Sequence, residues 1–288
     1  MLVVLCKDLS SGTAVARCYA VCFEDSRWKL SGSINFMPSY VITGASHGTG
    51  FEFVRQLGEN PENQVFRDRN VHVMHAEVVD IKTLTAAAAE VAQLTGGTLD
   101  CLINNVAFVE PNRRGLTLDG YPEDNQHLLE NDIYKAINVN VIGVVHTINV
   151  FLPLLRKGTM KKIITISTGL GDPEFIVASG FALDVPNAIS RAAVNMVVAK
   201  YAAEYKNEGL IFLALSPGFV DTLPKSPTVQ ELEPFVEIAT FFKKAFPQWN
   251  GIAVRPEDSV KLLLGIIEKA TVQDSGAFLS HHGNKEWL

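Results

Sequence analysis

From Tyr40 onward, short apolar runs of the sequence alternate with longer segments in which apolar residues recur at helical spacing. The apolar runs are YVIT, QVF, VHVMHAEV, LDCLINN, KKIITIS, LIFLALS and GAFLS. The helical segments are GFEFVRQLGEN, KTLTAAAAEVAQL, IYKAINVNVIGVVHTINVFLPLL, RAAVNMVVAKYAAEY and PEDSVKLLLGIIEKA. Buried strands that alternate with helices are typical of a parallel sheet covered on both faces. The sequence therefore predicts an α/β protein with a doubly wound parallel sheet, a fold that binds ligands at the carboxyl ends of its strands.

Charge and hydropathy narrow the classes of protein to which this chain can belong. Of its 288 residues, 47% are hydrophobic and 19% are charged, and the formal net charge is −6. This acidic balance, with only short basic runs, argues against a nucleic-acid partner. No apolar run approaches the ~20 residues of a membrane-spanning helix, and the opening run MLVVLC is shorter than the ~7–15-residue core of a secretory signal. We therefore expect a cytoplasmic protein that binds neither nucleic acid nor a membrane.

The first 36 residues lack clear periodicity, and Met37 stands directly before the strand-like run that opens the alternating pattern. We therefore predict a domain of residues 37–288 preceded by an extension, residues 1–36, that is poorly ordered or reflects an upstream start. Three of the four cysteines fall in this extension, but no histidine precedes His47, so the pattern indicates no metal site.

A glycine-rich turn lies between the first predicted strand of the domain and its first helix, in VITGASHGTGFEFVRQL. Gly44, Gly48 and Gly50 permit a tight turn and a close approach of the backbone to a pyrophosphate, which then sits on the helix N-terminus. An ordinary strand-to-helix turn is the alternative interpretation. The strand before the turn and the helix after it are what the dinucleotide-binding motif requires, and they favour that function.

The spacing of this turn, T-G-x-x-x-G-x-G, resembles that of the short-chain dehydrogenase/reductase family. Four later segments resemble motifs of the same family in the same order: INNVA, NVNVIG, ITISTGLG and LSPGFVDT. The match covers nearly all of residues 38–288 and looks most like fungal members associated with secondary metabolism. The resemblance implies a Rossmann-like single domain that uses NAD or NADP to interconvert a carbonyl and a hydroxyl on a small apolar metabolite.

The resemblance also implies two sets of site residues. The catalytic set is Asn140, Thr168, Asn187 and Arg191. The cofactor-binding set is Gly44, Ser46, His47, Thr49, Gly50, Glu77, Val78, Asn105, Arg191, Val220 and Thr222. Asn105 is expected beside the adenosine ribose, and Val220 and Thr222 at the nicotinamide end.

The segment NAISRAAVN departs from the family pattern Y-x-x-x-K, because Asn187 holds the tyrosine position and Arg191 the lysine position. A carboxamide has no ionisable proton near neutral pH, so Asn187 cannot protonate an alkoxide. Loss of a general acid typically costs ~10²–10⁴ in rate. Thr168 and Asn187 can still stabilise a developing oxyanion as hydrogen-bond donors, which predicts a weak reductase.

No other side chain is a clear replacement for the missing acid. Tyr201 lies roughly 15 Å from Arg191 along a helix. Asp172 and Asp184 flank the site in sequence and are candidate substitutes for the acid, but the usual exposure of aspartates favours a surface location for both.

A second departure follows the first helix, where ENPENQVFRDRNVHVMHAEVVD runs almost directly from one strand candidate into the next. A parallel pair needs a crossover of about a dozen residues or more, so we predict that the second crossover is missing or shortened. In the same region Arg67, Arg69 and His47 favour the 2′-phosphate of NADP, whereas Asp68 favours the free hydroxyl of NAD. The balance favours NADP.

Two predictions concern the surface of the domain. Residues 133–156 and 188–206 are apolar around much of their circumference, which favours a homodimer or homotetramer over simple burial against the sheet. The segment 223–250 is predicted to be a lid over the substrate. Its aromatic residues are Phe235, Phe241, Phe242, Phe246 and Trp249.

Three functions are compatible with these features. The first is a slow NAD(P)-dependent oxidoreductase acting on a small molecule. The second is a non-redox cyclase, isomerase or ligand-binding protein on the same fold. The third is a catalytically inactive copy in which the lost crossover prevents cofactor binding. The glycine turn, Asn140 and the proline–glycine loop favour the first.

Overall fold

The computed structural model describes residues 2–6, 21–23, 38–59, 70–125, 127–223 and 228–288. Its strands are β1 (Leu2–Cys6), β2 (Val21–Phe23), β3 (Tyr40–Thr43), β4 (Asn70–His75), β5 (Cys101–Asn104), β6 (Lys162–Ile166), β7 (Ile211–Ser216) and β8 (Phe278–Ser280). Its helices are α1 (Gly48–Glu59), α2 (Ile81–Thr95), α3 (His127–Ile137), α4 (Gly143–Leu155), α5 (Pro173–Ser179), α6 (Val185–Glu204), α7 (Val229–Ala245) and α8 (Pro256–Lys269).

The strands form one sheet in the order β2-β4-β1-β3-β5-β6-β7-β8. Every neighbouring pair is parallel except β2 with β4, which is antiparallel. The predicted α/β fold with a parallel sheet is thereby confirmed. The strand candidate QVF lies outside the described residues.

Two apolar layers cover the sheet, one on each face. One contains Val41, Leu102 and Ile163 from the strands, packed with α2, α4 and α6. The other contains Ile42 and Ile103, packed with α1 and α8. Because successive strand residues point to opposite faces, alternate positions of one strand enter different layers. This two-sided burial explains why the strands are continuously apolar rather than alternating.

The N-terminal region differs from the sequence prediction. Leu2–Cys6 and Val21–Phe23 are strands of the sheet, and β1 is an internal strand between β3 and β4. These two segments therefore belong to the sheet of the domain and do not form a poorly ordered extension outside it. The rest of residues 1–36 lies outside the described residues, and whether the stretch is native stays a prediction.

The chain passes from β3 through α1 to β4, but β3 and β4 are not neighbours. Between the end of α1 at Glu59 and the start of β4 at Asn70, the structure does not describe the chain. The next helix, α2, follows β4 rather than preceding it. A second crossover helix ahead of β4 is therefore absent from the part of the chain that the structure describes.

The helical stretch His127–Leu155 is long and apolar enough, by length and composition alone, to cross a membrane. Half of its most apolar window is buried in the fold. Ile148, Phe151 and Leu155 are fully buried in the apolar layer on that face of the sheet. The stretch therefore packs as a core helix, although the sequence prediction that no segment approaches membrane-spanning length does not hold.

Candidate active site

The carboxyl ends of the parallel strands bring the predicted motifs to one edge of the sheet. The glycine turn follows β3, Asn105 follows β5, Thr168 follows β6, and the loop with Val220 and Thr222 follows β7. The sequence places these groups far apart, and the sheet collects them because parallel strands end on the same side.

The glycine turn is shaped by close contacts that a side chain would prevent. Gly44 has a φ of +68°, and a Cβ there would lie 2.9 Å from Cγ2 of Val106. A Cβ on Gly50 would overlap the carbonyl oxygen of Gly44 and Nδ2 of Asn105. Only glycine fits both positions, because the first needs a left-handed backbone and the second a close backbone approach.

Asn105 braces this turn from the neighbouring strand. Its Nδ2 donates to the carbonyl oxygens of Thr43 at 3.1 Å and Gly44 at 2.7 Å. Its backbone N–H donates to Oγ1 of Thr43 at 2.9 Å. The residue expected beside the adenosine ribose thus also fixes the glycine turn against the end of β5.

The turn and the start of α1 fit a dinucleotide pyrophosphate. Helix α1 begins at Gly48, so its first backbone N–H groups are available to an anion. The Oγ atom of Ser46 is buried and has no hydrogen-bond partner among the described residues. His47 is exposed, and Thr49 lies half-buried in the first turn. The glycine turn leaves room for a phosphate, and the free backbone N–H groups and the buried hydroxyl of Ser46 are donors that could bind it.

The adenosine side is described only in part. Arg67, Asp68 and Arg69 lie outside the described residues. Glu77 and Val78 follow β4 and are half-buried. A Cβ on Gly143 would lie 2.7 Å from Cγ2 of Val78. The Val78 side chain is therefore packed directly on the start of α4.

The loop after β7 approaches the glycine turn from the other side. Cγ2 of Thr222 lies 3.8 Å from the position of a Cβ on Gly48. Val220 forms a parallel bridge with Val254, which fixes the loop on its outer side. Thr222 therefore lies next to the start of α1, in the region where the sequence predicts the cofactor.

Asn140 lies in a π-helical turn, Asn138–Ile142, between α3 and α4. Its Oδ1 accepts from the N–H of Phe108 at 2.6 Å, and its Nδ2 donates to the carbonyl of Phe108 and to Oγ of Ser190, both at 2.9 Å. The residue is fully buried. Its amide is thus satisfied by the loop after β5 and by α6, and links the two.

Asn187 and Arg191, the positions of the family pair, lie on one face of α6 and contact each other. Nε of Arg191 donates to Oδ1 of Asn187 at 3.3 Å, and its Nη1 donates to the carbonyl of Ile166 at 2.9 Å. Nδ2 of Asn187 donates to Oδ2 of Asp184 at 3.0 Å. Ser190 lies between them on α6 and donates to the carbonyl of Asn187 at 2.8 Å. The Oδ1 atom of Asn187 and one N–H of its Nδ2 are therefore already hydrogen-bonded, which leaves the second N–H of Nδ2 for a substrate.

The Arg191 guanidinium is buried, and its residue is only 6% exposed. Burial lowers the pKa of Arg191, and the negative charge of Asp184 partly offsets this effect. The group remains a cation at neutral pH. Its two described hydrogen bonds direct it to the end of β6 and to Asn187.

Thr168 begins the short 3₁₀ turn Gly169–Gly171 and is half-buried. Its Oγ1 accepts from the N–H of Leu170 at 3.3 Å, so its own O–H proton can still be donated. This turn packs against α6, since a Cβ on Gly171 would lie 2.9 Å from Cβ of Arg191. Thr168, Asn187 and Arg191 are thereby gathered at one place.

The predicted surface location of Asp172 and Asp184 is wrong, since both are about 95% buried. Asp172 caps α5, and its Oδ1 accepts from the N–H groups of Glu174 and Phe175. Asp184 precedes α6 with a φ of +55° and accepts from Nη2 of Arg114 at 3.1 Å. Of the two, Asp184 belongs to the site, because it contacts Asn187.

Tyr201 does not reach the site. Its hydroxyl donates to Oδ1 of Asn149 at 2.7 Å, and its ring stacks on Phe212 in the apolar layer beside α4. The hydroxyl of another buried tyrosine, Tyr121, donates to Asp132. Neither phenol is positioned to replace the tyrosine that the family pattern has at position 187.

The structure adds residues that the sequence prediction missed. Trp287 packs on the 3₁₀ turn Gly169–Gly171 that follows Thr168, here called the catalytic turn, since a Cβ on Gly169 would lie 2.7 Å from Cβ of Trp287. His281 packs on Gly218 at the start of the loop after β7. Oγ of Ser216 accepts from the N–H groups of both Gly169 and Gly218. The terminal segment SHHGNKEWL resembles that of fungal members of the family, but only the tertiary contacts show that it packs on the site.

An aromatic cluster lies beside the catalytic turn and includes part of the predicted lid. Its buried members are Phe175, Phe181, Phe242 and Trp287. Phe246 stacks on Phe175 at 5.3 Å, and Phe235 stacks on Phe219 at 4.7 Å. Helix α7 is thus attached to α5 and to the loop after β7 by aromatic contacts. Its function as a lid stays a prediction.

Comparison with known proteins identifies the family. The family model described as short chain dehydrogenase matches residues 39–232. The chain belongs to this family. Short-chain dehydrogenase/reductase AacuF of Aspergillus aculeatus is 42% identical over 272 residues, covering 88% of this chain and 100% of the relative. Short-chain dehydrogenase/reductase atnB of Arthrinium sp. is 40% identical with the same coverage.

The fold agrees with solved structures of this family. An NADPH-bound carbonyl reductase from chicken fatty liver has a TM-score of 0.62 at 22% identity and covers 87% of this chain and 98% of that chain. The carbonyl reductase Sniffer of D. melanogaster has a TM-score of 0.66 at 15% identity, covering 86% and 98%. At these identities the likeness shows the fold, a Rossmann-like single domain.

The alignment with AacuF also shows that the relative contains residues which this chain lacks. The aligned part of this chain is 88% of 288 residues, or about 253, whereas the alignment extends over 272 residues. About 19 aligned positions therefore have no counterpart here.

Proposed function

We propose that this chain is a slow NAD(P)-dependent reductase of a small apolar carbonyl compound, with NADP preferred over NAD. The observation that carries the proposal is the Asn187 amide, which occupies the tyrosine position of the family pattern while Asp184 and Arg191 bind it on both sides. The fold and the glycine turn suit a dinucleotide, whereas the group that would supply a proton is replaced.

When bound, a reduced nicotinamide would supply the hydride to the carbonyl carbon of the substrate. The residues of this chain then stabilise the charge that develops on the carbonyl oxygen. The free O–H of Thr168 and the remaining N–H of Asn187 are the donors available for it. Neither ionises near neutral pH, so the proton that completes the alcohol must come from water. The expected reaction is hydride transfer with slow protonation, about 10²–10⁴ slower than with a positioned acid.

The expected substrate class follows from the walls of the site. The aromatic cluster on α5, α7 and the C-terminal residues packs, through Trp287, on Gly169 next to Thr168, and makes this side of the site apolar. Aromatic walls favour flat apolar ligands. The relatives from Aspergillus and Arthrinium are consistent with a function in fungal secondary metabolism, which we include in the proposal together with a cytoplasmic location.

We also propose that the protein forms a homodimer or homotetramer through α3 and α6. These helices pack on each other and leave apolar side chains at the surface. Tyr134 on α3 is 63% exposed, and Ile189 and Met196 on α6 are 39% and 62% exposed. Burial of this face against a second copy would remove that apolar surface from water.

The test restores the family pair. The double variant N187Y/R191K is expected to raise kcat for reduction of a panel of small aromatic ketones by at least tenfold, because it returns a phenol and an ammonium to the site. The matched control is N195Y, an asparagine on the same helix whose Nδ2 donates to the carbonyl of Gly171. It is expected to give no gain.

NADPH and NADH binding is measured in parallel by calorimetry. Binding without any gain in the double variant would contradict the reductase proposal and favour a non-redox cyclase, isomerase or ligand-binding function. Absence of binding by the folded protein would favour an inactive copy.

A further inference from the structure

The place of β1 in the sheet carries a further inference. We propose that Leu2–Cys6 replaces the strand which normally follows α1 and that it completes the adenosine half of the dinucleotide site. The second part of this statement rests on the proposed function, whereas the first part rests on the sheet alone.

The strand is paired on both sides from Leu2 to Leu5, and Cys6 is paired with β4. Leu2, Val3, Val4 and Leu5 lie opposite the four residues of β3, and the five residues of β1 lie opposite residues 71–75 of β4. Neighbouring strands are ~4.8 Å apart, so β3 and β4 are separated by roughly 10 Å and cannot pair with each other. Without β1, both would present unpaired N–H and C=O groups inside the sheet, which is costly.

The strand order identifies which strand β1 replaces. The common order of a doubly wound dinucleotide-binding sheet is 3-2-1-4-5-6. Here β4, β1, β3, β5, β6 and β7 occupy these places in turn. The strand in the second place normally comes between the first helix and the third strand. In this chain it comes from residues that precede the first strand of the domain.

Two observations agree with a loss of the usual segment. The relative AacuF contains about 19 aligned residues with no counterpart in this chain. In addition, β4 is incompletely covered on the face that α1 and α8 pack against elsewhere in the sheet. Val73 and His75 point to that face, and Val73 is 43% exposed. A crossover helix between α1 and β4, which is absent from the part of the chain that the structure describes, would cover that face of β4.

The carboxyl end of β1 lies next to the predicted cofactor. Leu5 is opposite Thr43, the residue before the glycine turn, and Cys6 is opposite His75, two residues before Glu77. The strand therefore ends between the turn that would hold the pyrophosphate and the segment predicted to border the adenine. Its pairing with β3 also keeps Thr43 in place to accept from the backbone of Asn105.

The experiment breaks β1 in the full chain. In V4P the proline removes a backbone N–H from an internal strand, where proline is not tolerated. The control is A14P, at an N-terminal position outside all described strands. Hydrogen exchange is followed at residues 41–43 and 71–74, and NADPH binding is titrated. We expect V4P, and not A14P, to lose at least tenfold in exchange protection in both strands and at least tenfold in NADPH affinity.

A milder variant keeps the test decisive if V4P does not fold. V4G retains the N–H but removes the side chain and lowers the strand propensity by up to ~1 kcal/mol. It is therefore expected to lose protection in the same two segments to a smaller degree than V4P. Unchanged protection in V4P or V4G would overturn the proposal. Failure of the unmodified chain to bind NADPH would instead overturn the proposed function, while the exchange data would still decide the place of β1.

Discussion

Acid is expected to destabilise this protein through one buried histidine, His281. The residue follows β8 and is 2% exposed, and its Nδ1 has no hydrogen-bond partner among the described residues. A Cβ on Gly218 would lie 2.6 Å from Cε1 and 2.7 Å from Nδ1 of this ring. The ring of His282 lies 3.8 Å away, centroid to centroid. A charge on His281 would therefore be poorly solvated and would face a second imidazole.

Burial, and secondarily the neighbouring His282, lowers the pKa of His281 from 6.5 to about 4. The unfolded chain then binds a proton at this residue between pH 6.5 and 4 while the folded protein does not. The free energy of unfolding consequently falls as pH is lowered through this window. With the pKa lowered from 6.5 to about 4, and ~1.4 kcal/mol for each tenfold change in proton affinity, the expected loss of unfolding free energy is about 3 kcal/mol by pH 4.

The assay is urea unfolding at pH 7, 6, 5 and 4.5 at constant ionic strength. H281N is expected to be less stable than the unmodified protein at pH 7, because it leaves a cavity, but to lose less stability toward pH 4.5. H282N, at the exposed neighbour, is expected to retain most of the pH dependence. Carboxylates contribute equally to all three proteins and cancel in the comparison. Parallel pH profiles for H281N and the unmodified protein would refute the reasoning.

Three further substitutions test other parts of the structure. G50A is expected to abolish NADPH binding, measured by calorimetry, because its Cβ would overlap the carbonyl oxygen of Gly44. G58A lies on the same helix, and its Cβ meets no atom within 4 Å. It is expected to bind NADPH and to raise the free energy of unfolding, followed by thermal unfolding, by up to ~1 kcal/mol. D100A removes the carboxylate that accepts from the N–H and Oγ of Ser39 at 2.8 and 2.9 Å. It is expected to lower the free energy of unfolding by ~1–3 kcal/mol in urea titration, and an unchanged value would contradict this.

The parts of the fold that could be predicted from the sequence are those fixed by local pattern. Apolar runs and helical spacing indicated the strands from β3 onward and helices such as α2, α6 and α8, because burial on both sheet faces leaves a continuous apolar signal. The glycine turn could be located for the same reason, since Gly44 and Gly50 have steric requirements that no other residue meets.

The position of β1 could not be predicted, because pairing of a strand with residues far along the chain leaves no local signal. An apolar run such as LVVLC is compatible with a strand, a tail or part of a helix. What decides among them is the gap between β3 and β4, and that gap exists only in three dimensions. The loss of a crossover could be inferred from spacing, whereas the segment that fills its place could not.

The two aspartates beside the site show how a general expectation failed. Asp172 is followed by Pro173, and aspartate before proline is a signal of a helix N-cap, so its capping of α5 could have been predicted, although its burial could not. Asp184 also precedes a helix with a proline in its first turn, but its side chain makes no capping hydrogen bond. It is buried because Arg114, from a distant loop, and Asn187 both bind it, and its left-handed backbone is one that aspartate tolerates better than most residues.

The place of β1 in the sheet also determines what the ribosome exposes. Leu2 pairs with Tyr40 and with Val71, so the strand is made long before either partner. At ~5–20 residues per second, roughly 3–14 s pass between synthesis of β1 and synthesis of β4. Both edges of this apolar strand are unpaired until Tyr40–Thr43 has been made, and the edge that pairs with β4 is unpaired for the whole interval. Unpaired edges are templates for pairing with other chains. Binding of chaperones to the nascent chain is therefore expected to be strongest before His75 has emerged from the ribosome. It is expected to weaken once β4 pairs with the remaining edge of β1.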